Sequence, residues 1–230
     1  MLDLLKLMEL LRSYDIFITQ FISQRSLPAF LELFLYPGGT VFGYQGMLLV
    51  WPLVFYWTTS AQIAIRFITS AALGQCINRL LKLIASRDRP VPPFPLPVRH
   101  FTVRVPSKHA SGDGPSFPSG DAMAAGCVAG AFFFIGHGHP LTLLFAVWGM
   151  CGRMFYHCHF FFDTLVGASI GLTSTIVVSN MKRSLTPVEV LYVIPIFYAG
   201  MYFSKYLAQM VRTLLRLQDL GDGKNKESAY

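Results

Sequence analysis

The length of its apolar runs is what most narrows the folds open to this chain. Between polar interruptions lie Val41 to Thr58, Ala61 to Leu81, Asp121 to Ile135, Pro140 to Tyr156, Phe162 to Ser179 and Val188 to Met210. A helix needs roughly 17 to 25 mostly apolar residues to cross a hydrocarbon core of about 30 Å, and soluble domains seldom repeat runs of that order. Composition agrees: 53% of the 230 residues are hydrophobic and only 13% are charged, which is lean in charge for a soluble protein. The pattern predicts an all-α fold, a polytopic membrane helix bundle of about six spans forming one domain over residues 1–219.

The flanks of those runs are read differently. Residues 1–26 carry Asp3, Lys6, Glu9, Arg12 and Asp15 at helical spacing among apolar pairs, which suits a helix lying in the membrane interface rather than crossing it. Leu27 to Pro37 is apolar but short and is closed by Pro37-Gly38-Gly39, so it reads as interfacial or re-entrant. Arg66, near the start of the second run, is expected to snorkel. Residues 91–117 form the longest polar connection, and its Arg99, Arg104, Lys108, His100 and His109 either line an entrance for a lipid headgroup or are solvated. Residues 220–230 are charged and glycine-containing, a disordered tail. No cleavable leader is expected, because the first apolar stretch is interrupted by charge.

A net charge of +7 raises the question of nucleic acid. The basic residues border apolar runs instead of forming one face, so anionic headgroups account for them better. Cys76, Cys127, Cys151 and Cys158 form no CxxC pair and no disulfide framework and are expected to be buried thiols. His137-Gly138-His139-Pro140 is half a metal site at most and reads as a turn.

Three polar stretches interrupt this apolar background, and counting spans puts all three on one face of the membrane. The first runs from Lys82 to Pro90, the second is Pro118-Ser119-Gly120-Asp121, and the third runs from Arg153 to Asp163. Lys82 and Arg89 are seven residues apart, about two helical turns, so on a continuing helix they share a face and can clamp a phosphate. Ser119 and Gly120 open an apolar helix, where free amides and the positive helix end favour an anion, although a plain N-cap uses the same residues. His159 and Asp163 are at i, i+4. On a helix the carboxylate can hold one imidazole nitrogen and leave the other as a nucleophile. His157 competes for that role but has no carboxylate four residues on. Each stretch alone has an ordinary explanation, whereas an arginine, a histidine and an aspartate at a membrane surface are costly if idle.

Taken together, K-x6-RP, PSG and R-x5-H-x3-D resemble the three-part signature of the type 2 phosphatidic acid phosphatase superfamily, the integral-membrane lipid phosphate phosphatases. The resemblance covers about Gly43 to Val178. It implies that His159 attacks phosphorus, that Asp163 orients it, and that Lys82, Arg89, Ser119, Gly120 and Arg153 bind the phosphoryl oxygens, with no metal or other cofactor. The implied partners are a lipid phosphate substrate and membrane lipids, with no nucleic acid. Two positions depart from the family: Asp121 stands where a histidine usually protonates the leaving oxygen, and Gly152 where a serine usually precedes the arginine. Asp121 is therefore either a general acid or a charge at a helix start.

Three functions follow: a hydrolase of lipid phosphomonoesters or diphosphates, an impaired relative that binds lipid phosphate or scaffolds partners, and a vanadate haloperoxidase. The six apolar runs argue against the last, whose members are soluble. Cations beyond the motifs are denser on the active-site side (Arg87, Arg99, Arg104, Lys108, Lys205, Arg212, Arg216) than opposite it (Lys182, Arg183), which favours a cytoplasmic site.

Overall fold

The computed structural model of the protein describes residues 2–43, 46–85, 87–90, 97–101 and 115–182, with isolated positions beyond 182. Among the described residues the fold is all-helical, without strands. The α-helices are α1 (Leu2–Ser23), α2 (Ala29–Thr40), α3 (Trp51–Thr58), α4 (Ala61–Ala85), α5 (Gly120–Gly130), α6 (Leu144–Phe155) and α7 (Phe161–Ser179). A π-helical turn, Gly46–Val50, leads into α3; another, Ala131–Ile135, continues α5; a 3-10 turn, Pro140–Leu143, leads into α6.

Several boundaries differ from the sequence pattern. α2 runs on through Pro37 to Thr40, since a proline near a helix end forfeits little beyond one backbone bond. α4 ends at Ala85, five residues before Pro90, and Arg87–Pro90 leaves the helix. Arg89 directly precedes a proline, a position disfavoured in helical geometry, so Lys82 and Arg89 do not share a helix face. Among the described residues one helix, α7, is both long and apolar enough to cross a membrane, and Gly120–Ile135 and Pro140–Phe155 are apolar but shorter. The run Val188 to Met210, the tail from 220 and most of the 91–117 connection fall largely outside the described residues.

Glycines set how the helices meet. A Cβ on Gly167 would lie 2.3 Å from the Ser119 carbonyl oxygen, one on Gly171 2.0 Å from that of Met123, and one on Gly130 2.8 Å from the Thr175 side chain. Contacts that advance together along both helices make α5 and α7 parallel, in backbone contact. Gly74 against Met123 and Gly149 against Ala125 place α4 and α6 on the flanks of α5. The Arg153–Asp121 ion pair fixes α6 as antiparallel to α5, and Asn78 beside Gly120 does the same for α4. The amino ends of α5 and α7 and the carboxyl ends of α4 and α6 thus gather at one end of the bundle. The two amino ends direct their positive dipoles there.

Away from that end an aromatic core fills the bundle. Phe55 packs against Phe132 at 4.5 Å and against Phe67 at 4.9 Å, and Phe42 stacks on Trp51 at 5.5 Å, each pair adding about 1 kcal/mol beyond its burial. Arg66 donates to the Ser179 carbonyl at 3.1 Å, closing the carboxyl end of α7, where a cation is favoured. His139 caps the 3-10 turn through Nδ1. Cys76 is exposed, against expectation, because it lies on the outer side of α4, while Cys127 and Cys158 are buried.

The tight α5–α7 contact makes a first prediction. Gly171→Ala is expected to destabilise the fold by about 3 kcal/mol, because its Cβ would meet the Met123 carbonyl and, at 2.6 Å, the Cys127 amide, backbone atoms that cannot swing aside. Thermal unfolding in detergent measures it, with Ser169→Ala, an exposed position on the same helix, as the control that stays within a few tenths of a kcal/mol. Equal melting of the two variants would mean that the helices can part at no cost.

Candidate active site

All three polar stretches meet at the end where the α5 and α7 amino ends converge. The third spans the end of α6, the connection to α7 and the first turn of α7, so His159 precedes α7 instead of riding on it, and Asp163 is in that helix's first turn. Asp163 is fully buried and both of its carboxylate oxygens are engaged. One oxygen accepts from the Phe160 N–H at 3.0 Å and from the Ser116 hydroxyl. The other accepts from Arg87 Nη1 at 2.8 Å.

His159 is buried, with its two ring nitrogens in different surroundings. Nδ1 lies 3.8 Å from the Asp163 carboxylate, and Ser116 Oγ reaches both, 3.4 Å from Nδ1. Nε2 lies 3.3 Å from Arg89 Nη1. Arginine offers only donors, so Nε2 must face it as the acceptor, which assigns the proton to Nδ1 on the Ser116–Asp163 side. Burial pushes the imidazole down to about 4, so near neutral pH the ring is uncharged with its Nε2 lone pair directed at a guanidinium.

The remaining residues named from the sequence surround that pair. Arg89 Nη1 also donates to the Cys158 carbonyl at 3.0 Å. Lys82 Nζ donates to the Pro115 carbonyl at 2.6 Å, which brings the end of α4 against the segment carrying Ser116. Ser119 Oγ accepts from the Ala122 amide at 3.3 Å, an N-cap on α5 whose first residue is Gly120. Arg153, buried at the end of α6, pairs through Nε with Asp121 Oδ2 at 2.9 Å. His157 adopts a left-handed backbone, φ 53°, and its Nδ1 is 3.0 Å from Ser23 Oγ on α1.

Four residues here escaped the sequence reading. Arg87, counted there among the cations outside the site, joins Asp163 to Asp15 of α1, at 2.5 Å from the latter, and lies 3.9 Å above the Phe160 ring. Asp15 also accepts from the Phe162 amide at 2.7 Å, and Thr19 from the Phe161 amide at 3.0 Å, so α1 caps the amino end of α7. Ser116 is the fourth. The available signal was Arg87 in the same polar stretch as Arg89, and a buried aspartate on an otherwise apolar helix, which is rarely unpaired. Arg99, which had been a possible headgroup contact, instead closes the end of α1 through the Ser23, Arg25 and Phe155 carbonyls. Arg104, Lys108 and His109 lie outside the described residues.

A buried imidazole, the cations Lys82, Arg87, Arg89 and Arg153, and two converging helix amino ends meet at one end of a helical bundle, an arrangement with the chemistry to hold an anion. The PAP2 superfamily model matches residues 63–187, over half of the chain and all three stretches, and the chain belongs to that superfamily. The fold is also similar to the crystal structure of Aquifex aeolicus LpxE, with a TM-score of 0.55 and 20% identity, over 72% of this chain and 94% of that one. No curated protein matches the chain.

Proposed function

We propose that the chain is a membrane-embedded phosphatase acting on a lipid phosphomonoester or diphosphate, of the phosphatidate, sphingoid-base phosphate or polyprenyl diphosphate class. The observation that carries this reading is the 3.3 Å approach of Arg89 to His159 Nε2. A phosphoryl oxygen held by Arg89 sets phosphorus within reach of the Nε2 lone pair. Nε2 attacks, the bond from phosphorus to the leaving oxygen breaks, and Asp121 supplies that oxygen's proton. Water, giving a proton back to Asp121, then attacks phosphorus, breaks the bond to Nε2 and releases phosphate and free His159. Asp163 and Ser116 stabilise the imidazole proton as charge develops on the ring. Lys82, Arg89, Arg153, Ser119 and the Gly120 amide bind the phosphoryl oxygens, and the helix amino ends offset the charge.

Embedding in a bilayer is supported by large apolar side chains that face outward, among them Phe17, Phe34, Leu53, Trp57, Leu144 and Val177, a surface too apolar for water. The sequence bias toward a cytoplasmic site loses weight, since Arg87 and Arg99 are engaged inside the fold. Protease protection of the carboxyl-terminal tail in sealed vesicles tests the orientation.

Turnover is expected to be independent of divalent metal. Among the described residues no group of three His, Cys, Asp or Glu side chains could hold one, and the cations already present offset phosphate charge. Phosphate release by the purified full chain in detergent with EDTA is the test; activity lost in EDTA and restored by Mg²⁺ would reject it. No release under either condition, with lipid phosphate still bound, would favour the impaired relative, a reading that the Asp121–Arg153 pair motivates because it ties up a phosphate ligand.

A further inference from the structure

Asn78 on α4 takes no part in the three stretches, yet the bundle points it at them. It lies one helical turn before Lys82, on the same face, and is 1% exposed. Among the described residues neither its Nδ2 nor its Oδ1 has a hydrogen-bond partner, an arrangement that native folds rarely leave idle. Its Nδ2 lies 3.6 Å from where a Gly120 Cβ would be, so the amide faces the first residue of α5, the helix start that holds the anion in the reading above.

The chemistry of that amide differs from its surroundings. Lys82, Arg89, Arg153 and the helix amides only donate hydrogen bonds. In the reading above Asp121 serves the leaving oxygen as a proton donor, and the Ser119 oxygen is engaged by the Ala122 amide. Asn78 brings a carbonyl acceptor and an N–H donor on one side chain, neither of them engaged among the described residues. A fully ionised oxyanion would leave that acceptor unmatched, whereas a phosphoryl group that keeps one hydrogen matches both halves.

We propose that Asn78 is a further ligand of the substrate phosphoryl group and reads its hydroxyl, with Nδ2 donating to one phosphoryl oxygen and Oδ1 accepting from P–OH. The inference rests on the phosphate-site reading and adds to it a preferred protonation state and the exclusion of tetrahedral anions without a hydrogen. Inorganic phosphate near neutral pH keeps at least one P–OH. Inorganic sulfate has none.

The experiment compares inorganic phosphate with inorganic sulfate on the purified full chain in detergent, by calorimetric binding and by thermal shift. The expected result is a wild-type preference for phosphate of roughly tenfold or more, the size of one buried acceptor matched against unmatched. It should fall to within about threefold in Asn78→Leu, through weaker phosphate binding with sulfate little changed. Asn78→Asp keeps the shape and the acceptor, so it should weaken both anions and sulfate more. A wild type without preference, or an unchanged ratio in folded Asn78→Leu, overturns the proposal. If Asn78→Leu does not fold, Asn78→Asp decides, and an equal loss for both anions rejects it. Phosphate release measured in parallel separates the two readings: selectivity without turnover removes hydrolysis and keeps the ligand, while turnover with an unaltered ratio removes the ligand alone.

Discussion

His159→Ala is expected to abolish phosphate release, by roughly 10⁴-fold or more as for other lost nucleophiles, while His157→Ala keeps most of it. Two histidines two residues apart are chemically equal on paper, and their surroundings separate them. His159 has Arg89 at Nε2 and Ser116 with Asp163 at Nδ1, whereas His157 Nδ1 meets Ser23 on α1. Burial holds His159 near 4, so its lone pair stays available down through mildly acidic pH. The acid limb that it governs in kcat/KM should therefore lie well below the ordinary histidine range. Release of phosphate from a lipid phosphate in mixed micelles measures both variants, and acid-labile labelling of the protein by substrate phosphate should vanish only in His159→Ala. Equal loss in both, or the reverse order, would move the nucleophile elsewhere.

Asp121→Asn should lower the maximal rate by about 10² to 10⁴, the usual worth of general acid assistance, with a much smaller effect on binding of a phosphate analogue. The Asp121 carboxylate pairs with Arg153 at 2.9 Å. A phosphoryl group that took Arg153 for itself would free the Asp121 carboxyl to pass a proton to the leaving oxygen. Asparagine keeps the shape and cannot supply that proton. The deficit should shrink on a nitrophenyl phosphate, whose leaving group needs little protonation, and Asp121→His should retain activity, since imidazole does the same work near neutral pH. Full rate for Asp121→Asn on a lipid phosphate would reduce Asp121 to a charge at the start of α5 and send the search for the acid to His157 or a bound water.

How much of this was legible in the sequence differs from residue to residue. The helices followed from apolar runs, and α7 matches its run to within one residue because both its ends carry polar punctuation, Asp163 and Asn180. The four-residue spacing of Gly126 and Gly130 on α5, and of Gly167 and Gly171 on α7, marks close helix contact in the sequence. Where the reading assumed that local geometry would continue, it failed: α4 stops before Arg89, and His159 lies outside the helix that was to align it with Asp163. The Asp163 environment was illegible for another reason. Its partners Arg87 and Ser116 are 76 and 47 residues distant in the chain, and Arg87 reaches Asp15 across 72. Helical periodicity cannot report pairings over such separations. Asp15 in particular read as one more charge on an interfacial helix.

That aspartate has a practical consequence. The stretch that matches the superfamily begins at residue 63, but α1, well before it, supplies Asp15 and Thr19 to the amino end of α7 and Ser23 to His157. A laboratory that trims the gene to the matched boundaries would keep every motif residue and remove the clasp on Arg87, His157 and the start of α7. Arg87 would lose one of its two carboxylates, and the α7 amides of Phe161 and Phe162 would lose their acceptors. An inactive trimmed protein would then say nothing about the motifs, and fusion partners are better joined at the other terminus.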